Sequence, residues 1–215
     1  TLQLLCFEDE SSHESSLAAV KELRKMGLFV KTDIQEYNLL YTSAYHGWQN
    51  VFDYLVDWDP DALINSRYEN KPLLHAALET CVVFDGLPIL LKAAFKYHPD
   101  IGGLLFIEDD DGTSGLDFFF EMEEDEDDVL GILHNILSPT KDYPILHHVF
   151  TKAPKHKDLF IKKFPWAASL KDHNGRSLQQ AILAAGPEVM NENDLLFAML
   201  TNDQIQEKDP ISTLF

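Results

Sequence analysis

The sequence predicts an all-α fold, a solenoid of helix-turn-helix repeats with short hairpin turns between the repeats. Three observations predict it. Apolar helical stripes come in pairs, the first core Leu or Ile of each pair recurs at similar spacing, and a proline follows the second stripe of several pairs. One repeat domain over residues 1–215 is expected, with an irregular acidic insertion near 102–128.

The elements follow in order. VKELRKMGLFV (20–30) reads as the second helix of an earlier repeat, ending at Gly27. In NLLYTSAYHGWQNVFDYLV (38–56), apolar or small residues fall at Leu39, Leu40, Ser43 and Ala44, Gly47 breaks the helix, and Val51, Phe52 and Leu55 resume a stripe. WDPDALINSRYENKPLLHAALE (58–79) opens a second such unit, and DYPILHHVF and GRSLQQAIL repeat its helical start. Leu40, Leu73, Leu116, Ile145 and Leu178 are spaced by 33, 43, 29 and 33 residues, a repeat with insertions and deletions. Pro60, Pro99 and Pro165 each close an apolar helix, because proline cannot donate a backbone hydrogen bond and clashes with the preceding turn. First helices are therefore expected near Asn38, Lys71, Ser114, Tyr143 and Arg176, and KDPISTLF (208–215) reads as the turn into another repeat.

These units resemble the ankyrin repeat family, whose first helix opens Thr-Pro-Leu-His, followed by Ala-Ala and then Gly. Asn38-Leu39-Leu40-Tyr41, with Ala44 and Gly47, takes that place once. Lys71-Pro72-Leu73-Leu74, with Ala76 and Ala77, is the nearest copy; Tyr143-Pro144-Ile145-Leu146 and Arg176-Ser177-Leu178-Gln179 are others. Tyr41, Leu74, Leu146 and Gln179 stand where the family prefers His, and a proline replaces its usual glycine turn after the second helix. The resemblance implies stacked helical hairpins that bury a shared core, and partner binding through exposed first-helix and turn residues on the concave surface. Tyr45, His46, Trp48, Tyr68 and Glu69 are the residues expected there, since Tyr and Trp are favoured interface anchors. Trp48 fits an inter-repeat core position equally well.

Charge narrows the partner. With 17 basic and 36 acidic residues the formal net charge is −19, which repels phosphate backbones and anionic membranes and suits a protein partner with a basic surface. The acidic run EMEEDEDD (121–128) reads either as a solvated loop or as a docking strip through Glu123, Glu124 and Asp125. It could also face the basic stretch Lys152, Lys155, Lys157, Lys162 and Lys163, while Asp127 and Asp128 suit a helix N-terminus. No apolar stretch approaches the roughly 20 residues that span a bilayer. Cys6 and Cys81 form no CxxC pair, which fits a reducing compartment. An intracellular setting, cytoplasmic or nuclear, is expected; because the chain begins at Thr1 rather than Met, organelle import stays open.

One stretch points elsewhere. LLFIEDDDGTSGLDFFFE (104–121) resembles the first motif of haloacid-dehalogenase-like phosphohydrolases, in which Asp109 would be the nucleophile and Asp111 the general acid/base. That chemistry also needs βα alternation, a later Ser or Thr, a Lys and an acidic pair for magnesium. Residues after Thr113 read as helical, and Glu108 interrupts the apolar run before the would-be nucleophile. The repeat frame explains the stretch as a turn: Asp172 and Gly175 of KDHNGRSL match Asp109 or Asp110 and Gly112, with one extra residue in the earlier copy. An EF-hand loop with Gly112 at its sixth position would start at Ile107 and end at Phe118, which fails at both ends. No GxSxG, GxxxxGK or HExxH occurs, and the nine His are scattered, so no catalysis, cofactor or metal is expected. The expected function is a non-enzymatic protein-interaction scaffold; the alternatives are a structural subunit of a larger assembly and, remotely, the phosphohydrolase.

Overall fold

The structure is a computed structural model and describes residues 13–79, 86–122, 126–139 and 141–186. Cys6, Cys81, the KDPISTLF turn and the acidic Glu123, Glu124 and Asp125 lie outside the described residues. The described part is mostly α-helical, with twelve α-helices and one two-stranded hairpin. It falls into two compact units, one within Thr1–Pro99 and Gly103–Asp125, the other within Asp100–Gly102 and Glu126–Phe215.

The first unit contains α1 (His13–Lys25), α2 (Lys31–Glu36), α3 (Leu39–Tyr45), α4 (Gln49–Trp58) and α5 (Ala62–Asn65). An antiparallel hairpin follows, β1 (Arg67–Tyr68) and β2 (Lys71–Pro72), then α6 (Leu73–Glu79), α7 (Gly86–Tyr97) and α8 (Gly115–Met122). Glycine ends α1 and α3 in the same way. After α3, Gly47 takes a φ of 66°, its N–H donates to the Ala44 carbonyl at 3.0 Å, and the Trp48 N–H donates to Ser43 at 2.8 Å. After α1, Gly27 takes 71°, with Gly27 N–H to Arg24 and Leu28 N–H to Leu23. Both are Schellman ends, which satisfy otherwise orphaned carbonyls and need a left-handed residue. The predicted proline stops also hold: α4 ends two residues before Pro60, and α7 two residues before Pro99.

Consecutive helices pack as pairs, α3 on α4 and α6 on α7. The first members pack on each other, α3 on α6 and α6 on α8, and the second members likewise, α1 on α4 and α4 on α7. Leu39, Leu40, Phe52, Leu55, Leu74 and Phe119 are all within 1% of complete burial in this core. The second unit contains α9 (Glu126–Leu137), α10 (Ile145–Lys152), α11 (Lys157–Lys163) and α12 (Leu178–Ala185). There α10 packs on α11 and on α12 around Ile145, Phe150, Phe160 and Phe164, and α11 ends two residues before Pro165.

First helices begin at Leu39, Leu73, Gly115, Ile145 and Leu178, each within two residues of the position expected from the sequence. The register inside them differs from the expected one. Leu39 and Gly115, not Leu40 and Leu116, head their helices, so the five helix starts align on the residue before the first helical position: Asn38, Pro72, Ser114, Pro144 and Ser177. His75 and His147 are the third residues of α6 and α10, level with Tyr41 in α3.

Candidate partner-binding surface

Four of the expected contact residues come together in one aromatic ladder. On α3, Tyr41 and Tyr45 lie one turn apart, their ring centroids 6.0 Å from each other. The hairpin brings Tyr68 flat against Tyr41, at 4.1 Å and 15°. Tyr45 meets His46 edge-on at 5.0 Å, and His46 stacks on Trp48 at 4.7 Å. Tyr45 is 49% exposed and is one of the few large apolar side chains left open to solvent. Tyr41 beneath it is buried, and the crevice that Tyr41, Ala44, Tyr45, Leu73 and Leu90 line is too narrow for a water molecule. The feature is thus a ridge with a firm base rather than a ligand cavity.

Trp48 belongs to the core, not to the exposed anchors. It is 4% exposed, although the Schellman end it follows does not by itself bury the next residue. Glu69 stands at the hairpin tip, exposed, at a φ of 52°, with Asn70 at 68°. Two positive φ values make this the turn type that matches strand twist. A Glu in that conformation costs roughly 1–2 kcal/mol, and such strain clusters at functional positions.

The acidic stretch that resembles a phosphohydrolase motif is the turn before α8. Its Asp109 Oδ1 accepts N–H bonds from Asp111 at 3.0 Å and Thr113 at 2.9 Å, and Gly112 closes it at a φ of 80°. The turn before α12 has the same build. Asp172 Oδ1 accepts from Asn174 at 2.9 Å and Arg176 at 2.8 Å, with Gly175 at 75°. Bridges Glu108–Ser114 and Lys171–Ser177 flank them. Ser114 and Ser177 then cap their helices, accepting the N–H of Asp117 at 3.2 Å and Gln180 at 3.3 Å. Asp109 is thereby matched to Asp172 with no extra residue between turn and helix, because Gly115, not Leu116, heads α8 as Leu178 heads α12.

Burial opposes ionisation of Asp172, but the backbone N–H and guanidinium of Arg176 and the Asn174 N–H outweigh it and hold the carboxyl below its ordinary value. His75 and His147, which sequence reasoning passed over, each reach the next turn: His75 Nε2 lies 3.0 Å from the Thr113 carbonyl oxygen and His147 Nε2 3.2 Å from that of Arg176. The shared signal was a His two residues after the head of its helix, in LLH and ILH. Sequence reasoning also missed a groove of about 210 Å³ between α4 and α7, where Asp53 and Asp57 face Lys92 and Lys96. There the Tyr97 hydroxyl, donating to Asp57, and the Lys96 ammonium hold that carboxyl below its ordinary value.

Among the described residues no group of three His, Cys, Asp or Glu side chains could hold a metal ion, and no helix is long and apolar enough to cross a membrane. Comparison with protein-family models, with curated proteins and with solved structures found no match.

Proposed function

We propose that this chain is a non-enzymatic scaffold of divergent ankyrin-like repeats that binds another protein along its first helices and turn tips. The observation that carries the proposal is the aromatic ladder. It ties an exposed Tyr45 and a strained, exposed Glu69 to one rigid base, and rigid aromatic anchors beside adaptable polar groups suit protein recognition. Support for the repeat reading comes from the matched turns before α8 and α12, the matched helix starts, and the His at the third position of α6 and α10. Support for a basic partner comes from the net charge of −19 and the exposed Glu69 beside the ladder.

The phosphohydrolase reading loses its main attraction, because the Asp109 carboxylate is engaged in its own turn. A second reading, a structural subunit of a larger assembly, draws on Met26, Leu28 and Val30, three large apolar side chains at least half exposed within five residues. The test is affinity capture with the wild-type chain and a Tyr45→Ala/Glu69→Lys variant of equal thermal stability. A partner held by the wild type and lost by the variant supports the scaffold on this surface. A partner held equally by both refutes the surface, and loss of the monomer in sedimentation at micromolar concentration points to the subunit reading.

A further inference from the structure

We propose that His75 and His147 are acid-sensitive latches, each holding the turn that precedes the next helix and releasing it when the ring gains a second proton. The latch rests on contact geometry alone and does not depend on what the aromatic surface binds. Both rings are buried, His75 to 1% exposure and His147 to 4%. Each points Nε2 at a carbonyl oxygen, Thr113 for His75 and Arg176 for His147. A carbonyl only accepts, so Nε2 must carry the proton and donate. In the neutral ring Nδ1 is then bare, and in both residues it is buried without a hydrogen-bond partner. A bare acceptor there is tolerable. A second proton would place a positive charge in a buried site; at His75 the new N–H donor meets no acceptor, and at His147 the Pro144 carbonyl offsets only part of the cost of burial.

The carbonyls that receive these bonds are the closing points of the turns. The Thr113 oxygen also accepts the Asp109 N–H at 3.0 Å, and the Arg176 oxygen the Asp172 N–H at 2.9 Å. Each turn is thus closed on itself and fastened to the preceding first helix through one oxygen. The charged groups that reach His75 are Asp109 of the turn, whose Oδ2 lies 3.9 Å from Nε2, Arg67 of β1 and Glu79 of α6, while α8 presents Phe118 at 5.1 Å. Asp172 and Arg176, both of the turn, reach His147, as does the Pro144 carbonyl at the head of α10, which favours the charged ring. The carboxylates favour the charged ring and the arginines oppose it. Burial is the largest influence on each and holds both rings below the ordinary imidazole value of 6.5. At neutral pH both latches are closed, and acid opens them.

Hydrogen exchange of the backbone amides at residues 109–113 and 172–176 reads the latch directly, as protection corrected for the intrinsic pH dependence of exchange. Between pH 7 and pH 5 the wild-type turns lose protection severalfold, while amides in α4 lose less. A His75→Gln/His147→Gln variant keeps a donor for each carbonyl and cannot titrate, so its turns hold their protection over the same range. Two results overturn the latch: wild-type turns whose protection is flat with pH, or a Gln variant that loses protection as the wild type does. Should the double variant fail to fold, ¹⁵N shifts of the two wild-type rings decide it. Protonation at 6.5 without loss of turn protection refutes the latch, and protonation coincident with that loss supports it.

Discussion

Replacing Gly115 by Ala puts a methyl group where the start of α8 has no room. A Cβ at this position would stand 2.7 Å from Leu74 Cδ2 and 2.9 Å from the Leu104 carbonyl oxygen, with the Leu105 oxygen at 3.4 Å. Leu74 could rotate away, but the backbone oxygens cannot. Nor can the helix retreat, because the Gly115 N–H donates to Ile107 at 3.0 Å and the Leu116 N–H to Leu105 at 2.6 Å. Two effects compete. A helical Gly→Ala change normally stabilises, by up to about 1 kcal/mol, whereas forcing a methyl into a packed core costs about 1–3 kcal/mol. With backbone as the obstacle the second wins, and the net loss should be about 1–2 kcal/mol, a fall in Tm of about 2–8 °C. Gly131 is the control: it lies within α9 and a Cβ there meets nothing within 4 Å, so Gly131→Ala should gain about 0.5–1 kcal/mol. Urea melts followed by circular dichroism measure both. A Gly115→Ala protein as stable as the wild type would refute the packing of α8 against residues 104–105, and with it the register that matches Ser114 to Ser177.

Asp172→Ala removes the acceptor of three bonds, including the Arg176 Nε contact at 2.7 Å, and should destabilise by about 1–3 kcal/mol in thermal melts, with Asp172→Asn milder. Because the folded-state pKa of Asp172 is lowered, its contribution is present above the ordinary value of 3.8 and is lost as pH falls below that value and through the lowered folded-state one, so the stability gap between wild type and Asp172→Asn should close in acid melts. Trp48→Ala should cost about 3–5 kcal/mol as a core truncation, whereas Tyr45→Ala should stay within about 1 kcal/mol and act on partner capture instead; equal losses would mean that the ladder is core throughout. Asp109→Asn should cost about 1 kcal/mol or less and leave magnesium-dependent hydrolysis of a generic phosphate ester unchanged from wild type; turnover present in wild type and abolished in the variant, with an unchanged melt, would revive the phosphohydrolase.

Much of the candidate surface was legible in the sequence. Tyr45, His46, Tyr68 and Glu69 were expected at exposed first-helix and turn positions, and Gly47 marks where the chain bends after α3. That Tyr41 joins Tyr68 to Tyr45 was not legible, since the stack spans from α3 to the hairpin. The one-residue slip at the heads of α3 and α8 has a similar origin. A run such as Leu39-Leu40 offers two equivalent apolar residues, and only the neighbouring helix selects which one heads the stripe.

The sequence alone determined where helices stop and turns close. Gly27, Gly47, Pro60, Pro99 and Pro165 act through their own backbone, and Asp109 and Asp172 bond amides two and four residues ahead. Such signals need nothing beyond a few neighbours in the chain. Burial is different, because it depends on what lies opposite. Leu28 and Trp48 hold the same place after the same glycine end, yet Leu28 is 63% exposed and Trp48 4%. His75 finds its acceptor 38 residues away in Thr113, and Gly115 is needed because Leu74 and the Leu104 carbonyl already fill the space where its side chain would go. Those choices belong to the tertiary structure, because each is made by atoms that the chain brings together only when it has folded.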